Sequence, residues 1–384
     1  MRAEQQLILL CAGTAARRRE LGERASRLAS EVDWSRLAEM LRARKLLPTL
    51  GPRVVELADG RASSDLRAAV EQTIEAGRRQ GAFLQLISLR AIAVLADAGI
   101  PASALKGPTL AEALYGDPGR RLSGDIDLLV APEQLPMAVD VIRGLGYDSP
   151  TDYVDESGLP LLHFVLLHVR GELPPIELHW RVHWYEQGFA RDRLLPPSVD
   201  PSGSWRPAPV DELAALLLFY ARDGFIDLRL ATDVGAWWDA YGTELPSGAL
   251  RALMREYPAL ERVIPAAVKA AENTVGLPAA EIIGGMPTLG LRERMAVRLA
   301  NPNPRSSQSQ LYADVGLVDG LLTPSGGFGD FVRRQVLPPA EVLEQQAEHG
   351  DRPRARSSVG RCAGMLARYS VRIARLTRPP EVLR

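Results

Sequence analysis

The sequence predicts an α/β core held between helical flanks. Residues 100–146 alternate extended and helical stretches. Residues 161–183 hold two strand-like runs, the second with strict polar–apolar alternation. On either side, before residue 100 and from about Asp211 onward, apolar residues recur at helical spacing. Period two in the middle and period 3.6 outside it place a sheet between helices.

Residues 1–99 form the predicted helical N-terminal region. Leu7 to Ala15 is a short apolar run between Glu4 and Arg17-Arg18-Arg19, which fits an amphipathic first helix better than a secretory signal. Asp33 is placed to cap a helix from Trp34 to about Arg44. A longer helix is predicted from about Ser64 to Ala98, with Phe83, Leu84, Leu86, Ile87, Ile92, Ala93 and Leu95 as its apolar face and Gly99 as its stop. No chemistry-bearing pattern lies in this block; its expected role is packing.

Residues 100–205 form the predicted α/β core. Ile100 to Leu105 reads as a strand ending in Lys106-Gly107-Pro108, and a helix follows from about Thr109 to Tyr115. Gly116-Asp117-Pro118-Gly119 is a turn. Then Ile126 to Val130 reads as a short, apolar strand, and a helix opened by Pro132 runs to about Leu145. Residues 161–169 read as a buried strand, and residues 176–183 as one with Ile176, Leu178, Trp180 and Val182 on one face and Glu177, His179, Arg181 and His183 on the other.

Residues 206–300 read as helical again, with a buried helix through Leu213–Tyr220, another from Asp227 to Ala240 and a third over about 248–273. Residues 301–330, rich in Pro, Ser, Gly and Asn, read as the linker that opens the last region, 301–384. Helices are predicted from Pro338 to Ala347 and from Arg361 to Thr377, with a loop at 351–360 between them. Nine Arg against two acidic residues lie between Asp351 and Arg384; the expectation is that Leu366, Ile373 and Leu376 face the body with the Arg outward.

The formal net charge of −1 argues against a global nucleic-acid-binding field. Two cysteines, Cys11 and Cys362, offer neither a disulfide framework nor zinc-knuckle spacing, so a reducing cytoplasm is expected. No stretch approaches a membrane span on hydropathy.

The chemistry centres on Arg121-Leu-Ser123-Gly-Asp125-Ile-Asp127. Side chains alternate along a strand, so Asp125 and Asp127 point the same way and repel unless a cation sits between them. Glu177, on the polar face of a later strand, is the natural third carboxylate of a phosphoryl-transfer metal site. Lys106-Gly107, at a strand-to-helix turn, suits an anion: glycine admits close backbone approach and lysine adds charge. His163, His168, His179 and His183 cluster, but their strand spacing does not converge on one zinc ion; a cleft wall is expected, with His179 contacting phosphate or orienting a carboxylate. There is no P-loop, and Gly326-Gly327-Phe328-Gly329 lacks the lysine and preceding strand of one.

Leu105-Lys106-Gly107, Tyr115, Arg121, Gly124 to Val130, Gly146-Tyr147 and Ile176-Glu177-Leu178-His179-Trp180 together resemble the uncharacterised nucleotidyltransferase family of the polymerase-β superfamily. The order is also similar to abortive-infection-type nucleotidyltransferase toxins. The resemblance implies a polymerase-β-like core with a mixed sheet and helical flanks. It implies magnesium, or manganese in its place, on Asp125, Asp127 and Glu177, with Lys106, Gly107, Arg121 and Ser123 binding a triphosphate and Glu177 helping to activate an acceptor hydroxyl. The donor would be a nucleoside triphosphate, and the acceptor a hydroxyl or phosphate of a small molecule, peptide, protein or RNA, a tRNA end included. Two departures stand out: the superfamily's Gly-Ser pair ahead of the Asp-x-Asp is replaced by Lys106-Gly107 at a longer gap, and Tyr220 to Gly224 lacks a His or Lys that related sequences carry. The missing Gly-Ser pair keeps open a fold relative that binds a phosphorylated ligand or partner protein without transfer; a transferase of sugar phosphate or glycosyl groups from a nucleotide-activated donor would use the same metal and diphosphate chemistry.

Overall fold

Along the helix Ser64–Asp97, 34 residues long, the apolar pattern changes face, and the helix walls two cores. Ser63 caps it, its side chain accepting from Leu66 N at 3.2 Å. Leu66 and Val70 enter a large helical core, while Leu84, Ala91, Ile92 and Leu95 enter the core of the sheet. The structure, a computed structural model, describes residues 2–149, 162–300 and 308–332, except 59, 187, 286–287 and 330, together with 364, 367, 369 and 370.

The sheet has strands β1 (Ala102–Ala104), β2 (Ile126–Val130), β3 (Tyr147–Asp148), β4 (His163–His168) and β5 (Ile176–His179), in the order β1-β2-β5-β4-β3. β2 and β5 are parallel and the other pairings antiparallel, which makes the sheet mixed. Ile126, Leu128, Val130, Phe164, Leu166, Ile176 and Leu178 form one apolar face. The helix Leu135–Arg143 covers it with Leu135, Ala138, Val139 and Ile142.

The N-terminal helices and those after residue 209 share the other core, where Leu7, Leu37, Leu50, Leu217, Phe219 and Ile264 are all buried. Asp33 caps the helix Trp34–Ala43, accepting from Arg36 N at 3.1 Å. The helix Leu47–Leu57 contains Pro52, which has no N–H for the carbonyl of Pro48. That carbonyl accepts instead from Arg120 Nε at 2.9 Å, so the irregularity ties this helix to the turn before β2.

Several elements differ from expectation. β5 ends at His179 rather than His183, because the Glu186 carboxylate takes the Val182 N–H at 3.0 Å. Arg181 and His183 therefore leave the strand face; Arg181 lies over the Trp180 ring at 4.2 Å and His183 is buried. The helix predicted over 248–273 is two, Ala249–Glu256 and Val263–Val275, broken at Pro258. The expected linker at 301–330 contains the helix Gln308–Leu322, whose Val318 and Leu322 join the helical core; the Pro, Ser and Gly at the two ends of the segment masked it. Ala15–Glu20, Gly22–Ala29 and Leu47–Leu57 are helices that the pattern did not single out. Ser64–Asp97 is long and apolar enough to cross a membrane by length and composition alone, although both of its ends pack into cores. The helix predicted at 338–347 and the loop at 351–360 lie outside the described residues, as does most of the helix predicted at 361–377.

Candidate active site

Strand alternation sends Asp127, Glu177, His179 and His163 to the face opposite the sheet core. Register then sets them side by side: Asp127 opposes Glu177 across the parallel β2–β5 pair, and His163 opposes His179 across the antiparallel β4–β5 pair. Asp125 stands just before β2. Carboxylate oxygens of Asp125, Asp127 and Glu177 all lie within 4.8 Å of one another.

Asp127 is buried, and its oxygens face Lys106 Nζ at 3.1 Å and His179 Nε2 at 3.0 Å. Burial opposes its ionisation, but the His179 hydrogen bond and the Lys106 charge outweigh burial and hold the carboxyl well below the usual range. Asp127 therefore accepts from the His179 Nε2–H. Glu177 Oε2 is 3.4 Å from His179 Nε2 and 3.7 Å from His163 Nε2. There too burial raises the pKa, and the His179 hydrogen bond with the His163 charge brings it below the ordinary value. Two of the three carboxylates are thus kept ionised by their surroundings. An all-oxygen, ionised donor set of this spacing fits a hard divalent cation.

A second group, His163, Glu177 and His179, also has ligand atoms within 4.8 Å. Strand spacing alone did not find it, because it compared histidines along one strand; pairing of β4 with β5 brings the rings to 4.8 Å between centroids. Burial, then the neighbouring His179 charge, push the His163 imidazole down to about 4, with Glu177 opposing and Arg222 adding to the push.

Gly107 caps the helix Pro108–Tyr115 at φ +107°, ψ −148°, a conformation open essentially to glycine alone. No atom lies within 4 Å of where a Cβ would be, so the backbone here faces open space beside Lys106.

Arg121 is placed differently from the phosphate contact that the resemblance implied. Its buried guanidinium donates from Nε to Asp233 Oδ2 at 2.8 Å and from Nη1 to Ser123 Oγ at 3.0 Å. Tyr115 Oη donates to the other oxygen of Asp233 at 2.7 Å. Asp233, buried on the helix Leu228–Tyr241, thus joins the loop before β2 to the helical core. A carboxylate in the middle of an apolar stretch of helix was its signal in the sequence.

The helix Pro209–Arg222 closes the site from the helical side. Its Phe219 ring meets His179 edge-on at 6.4 Å, Lys106 Nζ at 5.5 Å and the Arg222 guanidinium at 4.8 Å. Phe219 and Arg222 carry no motif and were not singled out by their spacing. The structure thus gathers Asp125, Asp127, Glu177, His179 and Lys106, leaves Gly107 open beside them, and uses Arg121 and Ser123 within the loop.

A mixed sheet with an Asp-x-Asp on one strand, a third carboxylate on its parallel neighbour and helical flanks defines a polymerase-β-like nucleotidyltransferase core. The chain belongs to the uncharacterised nucleotidyltransferase family, whose model matches residues 30–274 and so spans every residue of this site. No curated protein and no solved structure matches the chain.

Proposed function

We propose that the protein transfers a nucleoside monophosphate from a nucleoside triphosphate to an acceptor hydroxyl. The observation that carries the reading is the three-carboxylate cluster at the mouth of the β2–β5 pair, in a chain of this family. Asp125, Asp127 and Glu177 hold magnesium, or manganese. Bound there, the ion supplies charge neutralisation on the phosphates and orients the oxygens of an in-line displacement. His179 is a positioning residue that fixes the orientation of Asp127 and keeps it ionised. Lys106, at the open Gly107 turn, meets the triphosphate. Glu177, a fifth exposed and ionised, is the group that takes the acceptor proton. The acceptor oxygen bonds to the α-phosphorus, the bond from that phosphorus to the β-phosphate oxygen breaks, and pyrophosphate leaves. A small molecule or peptide is the favoured acceptor, since the net charge of −1 offers no general attraction to a long nucleic acid.

Pyrophosphate release across the four nucleoside triphosphates tests this. Asp125→Ala and Asp127→Ala should each lower turnover roughly a thousandfold, the scale of several kcal/mol of lost charge stabilisation. Equal turnover by wild type and both variants would sink the reading. One observation favours a second: Asp127 already engages Lys106 and His179, which suits a fold relative that binds a triphosphate without transferring from it. Magnesium-dependent binding without pyrophosphate release would identify that case. The mass added to an acceptor separates nucleotidyl transfer from transfer of a sugar phosphate or glycosyl group.

A further inference from the structure

Among the described residues, Lys106, Arg121 and Arg222 lie around the candidate site, and they are committed to different degrees. Arg121 is paired with buried Asp233 and bonded to Ser123. Lys106 shares its charge with Asp127 at 3.1 Å. Arg222 is the exception. It ends the helix Pro209–Arg222, its side chain is 15% exposed, and its ion-pair contact is a 3.9 Å approach to Asp223. Among the described residues, nothing hydrogen-bonds its buried Nη1.

A guanidinium presents five donors in a rigid fork, and leaving donors buried without acceptors costs free energy. An anion reaching the site would supply those acceptors, and a phosphate matches the fork with two parallel hydrogen bonds. The position is right for it. Arg222 lies over Phe219, the ring that also meets Lys106 and His179, and His179 in turn bonds Asp127. The Arg222 charge is felt at His163, inside the same cluster.

We propose that Arg222, together with Lys106, grips the outer phosphates of the triphosphate, the task that Arg121 is not placed to perform. The inference rests on the nucleotide reading above and names the residue that supplies the charge. Both cations approach the same Phe219 ring.

Inorganic tripolyphosphate is the probe, since it carries the phosphate chain without a base. Its affinity for the full chain is measured by calorimetry in magnesium, for wild type, Arg222→Lys and Arg222→Gln. The expected result is a loss of tenfold or more in Arg222→Gln and a smaller loss in Arg222→Lys, which keeps the charge but not the fork. The rise in melting temperature that tripolyphosphate gives wild type should shrink in the same order, and ligand-free melts show whether each variant is folded. Arg222→Lys keeps the stem on Phe219, so it tests the fork even where Arg222→Gln does not fold. Wild-type affinity in both variants overturns the role of Arg222 and leaves the nucleotide reading standing. A wild-type chain that binds no tripolyphosphate overturns the phosphate grip proposed here, and pyrophosphate release from the nucleoside triphosphates then decides separately whether the nucleotide reading stands.

Discussion

Two turns flank the candidate metal ligands, and they are built in opposite ways. The loop from Gly116 to Gly124, which delivers Asp125 to β2, is tied on several sides. Thr49 Oγ1 donates to the Arg120 carbonyl at 2.6 Å, Arg120 reaches the Pro48 and Thr49 carbonyls, and Arg121 is locked on Asp233. Asp117 takes Arg78 at 2.7 Å, and Gly119 lies directly on the helix Ser64–Asp97. The Lys106–Gly107 turn, which follows β1, has open space around Gly107, and its Lys106 ammonium meets Asp127 and the Phe219 ring. A metal ligand must be held in place before the ligand arrives, whereas a phosphate-binding turn must leave backbone and charge uncovered. The difference supports a positioning role for the first turn and the substrate contact proposed above for the second.

The largest effect should come from cutting the first turn loose. Asp233→Ala leaves the Arg121 guanidinium buried without its counter-charge, which costs about 3–5 kcal/mol. It also frees Tyr115 and the loop that carries Asp125. Urea unfolding measures the loss, and Asp233→Asn, which keeps an acceptor, should recover part of it. A loss below about 1 kcal/mol would mean that the loop is held by its other contacts alone.

Gly119→Ala should cost somewhat less, about 1–3 kcal/mol, the range of an overpacked core site. A Cβ there would lie 2.3 Å from the Ile74 carbonyl oxygen and 2.9 Å from the Arg78 nitrogen, both backbone atoms of a long helix. Neither can move without bending that helix. Gly124→Ala is the control within the same loop, since nothing lies within 4 Å of its Cβ position. Equal melting temperatures for the two variants would show that the close approach at Gly119 does not hold the loop.

How much of this was legible in the chain follows from what each feature depends on. Asp125, Asp127 and Glu177 were found because strand alternation is local and a repeated carboxylate is conspicuous. The α/β core and helical flanks followed from periodicity, and the mixed sheet from the resemblance. What the sequence concealed depends on register or on distant helices. His163 joins His179 only through the β4–β5 pairing. Asp233 reaches Arg121 across 112 positions of chain, and Phe219 and Arg222 look like ordinary members of an apolar helix until the helix is docked on the sheet. Arg121 was expected at the phosphates because the resemblance implied it. Its partner lies in another element, and that decides its direction.

The smallest effect, and the most selective, should come from the second turn. Gly107 and Gly116, at the two ends of the same helix, both have positive φ and both have free space where a Cβ would go. Steric crowding therefore does not separate Gly107→Ala from Gly116→Ala. Backbone preference does: Gly116 sits at φ +67°, ψ +11°, a left-handed conformation that other residues adopt at modest cost. Gly107 sits at φ +107°, ψ −148°, which only glycine visits readily. Gly107→Ala should lose about 1–2 kcal/mol of stability, and Gly116→Ala about 1 kcal/mol or less. Tripolyphosphate affinity is the sharper measure. It should fall severalfold in Gly107→Ala, because relaxing the strain moves the backbone beside Lys106, and should stay unchanged in Gly116→Ala. An equal effect of both substitutions on affinity would remove the Lys106–Gly107 turn from the ligand and leave the charge of Arg222 to bind the phosphates alone.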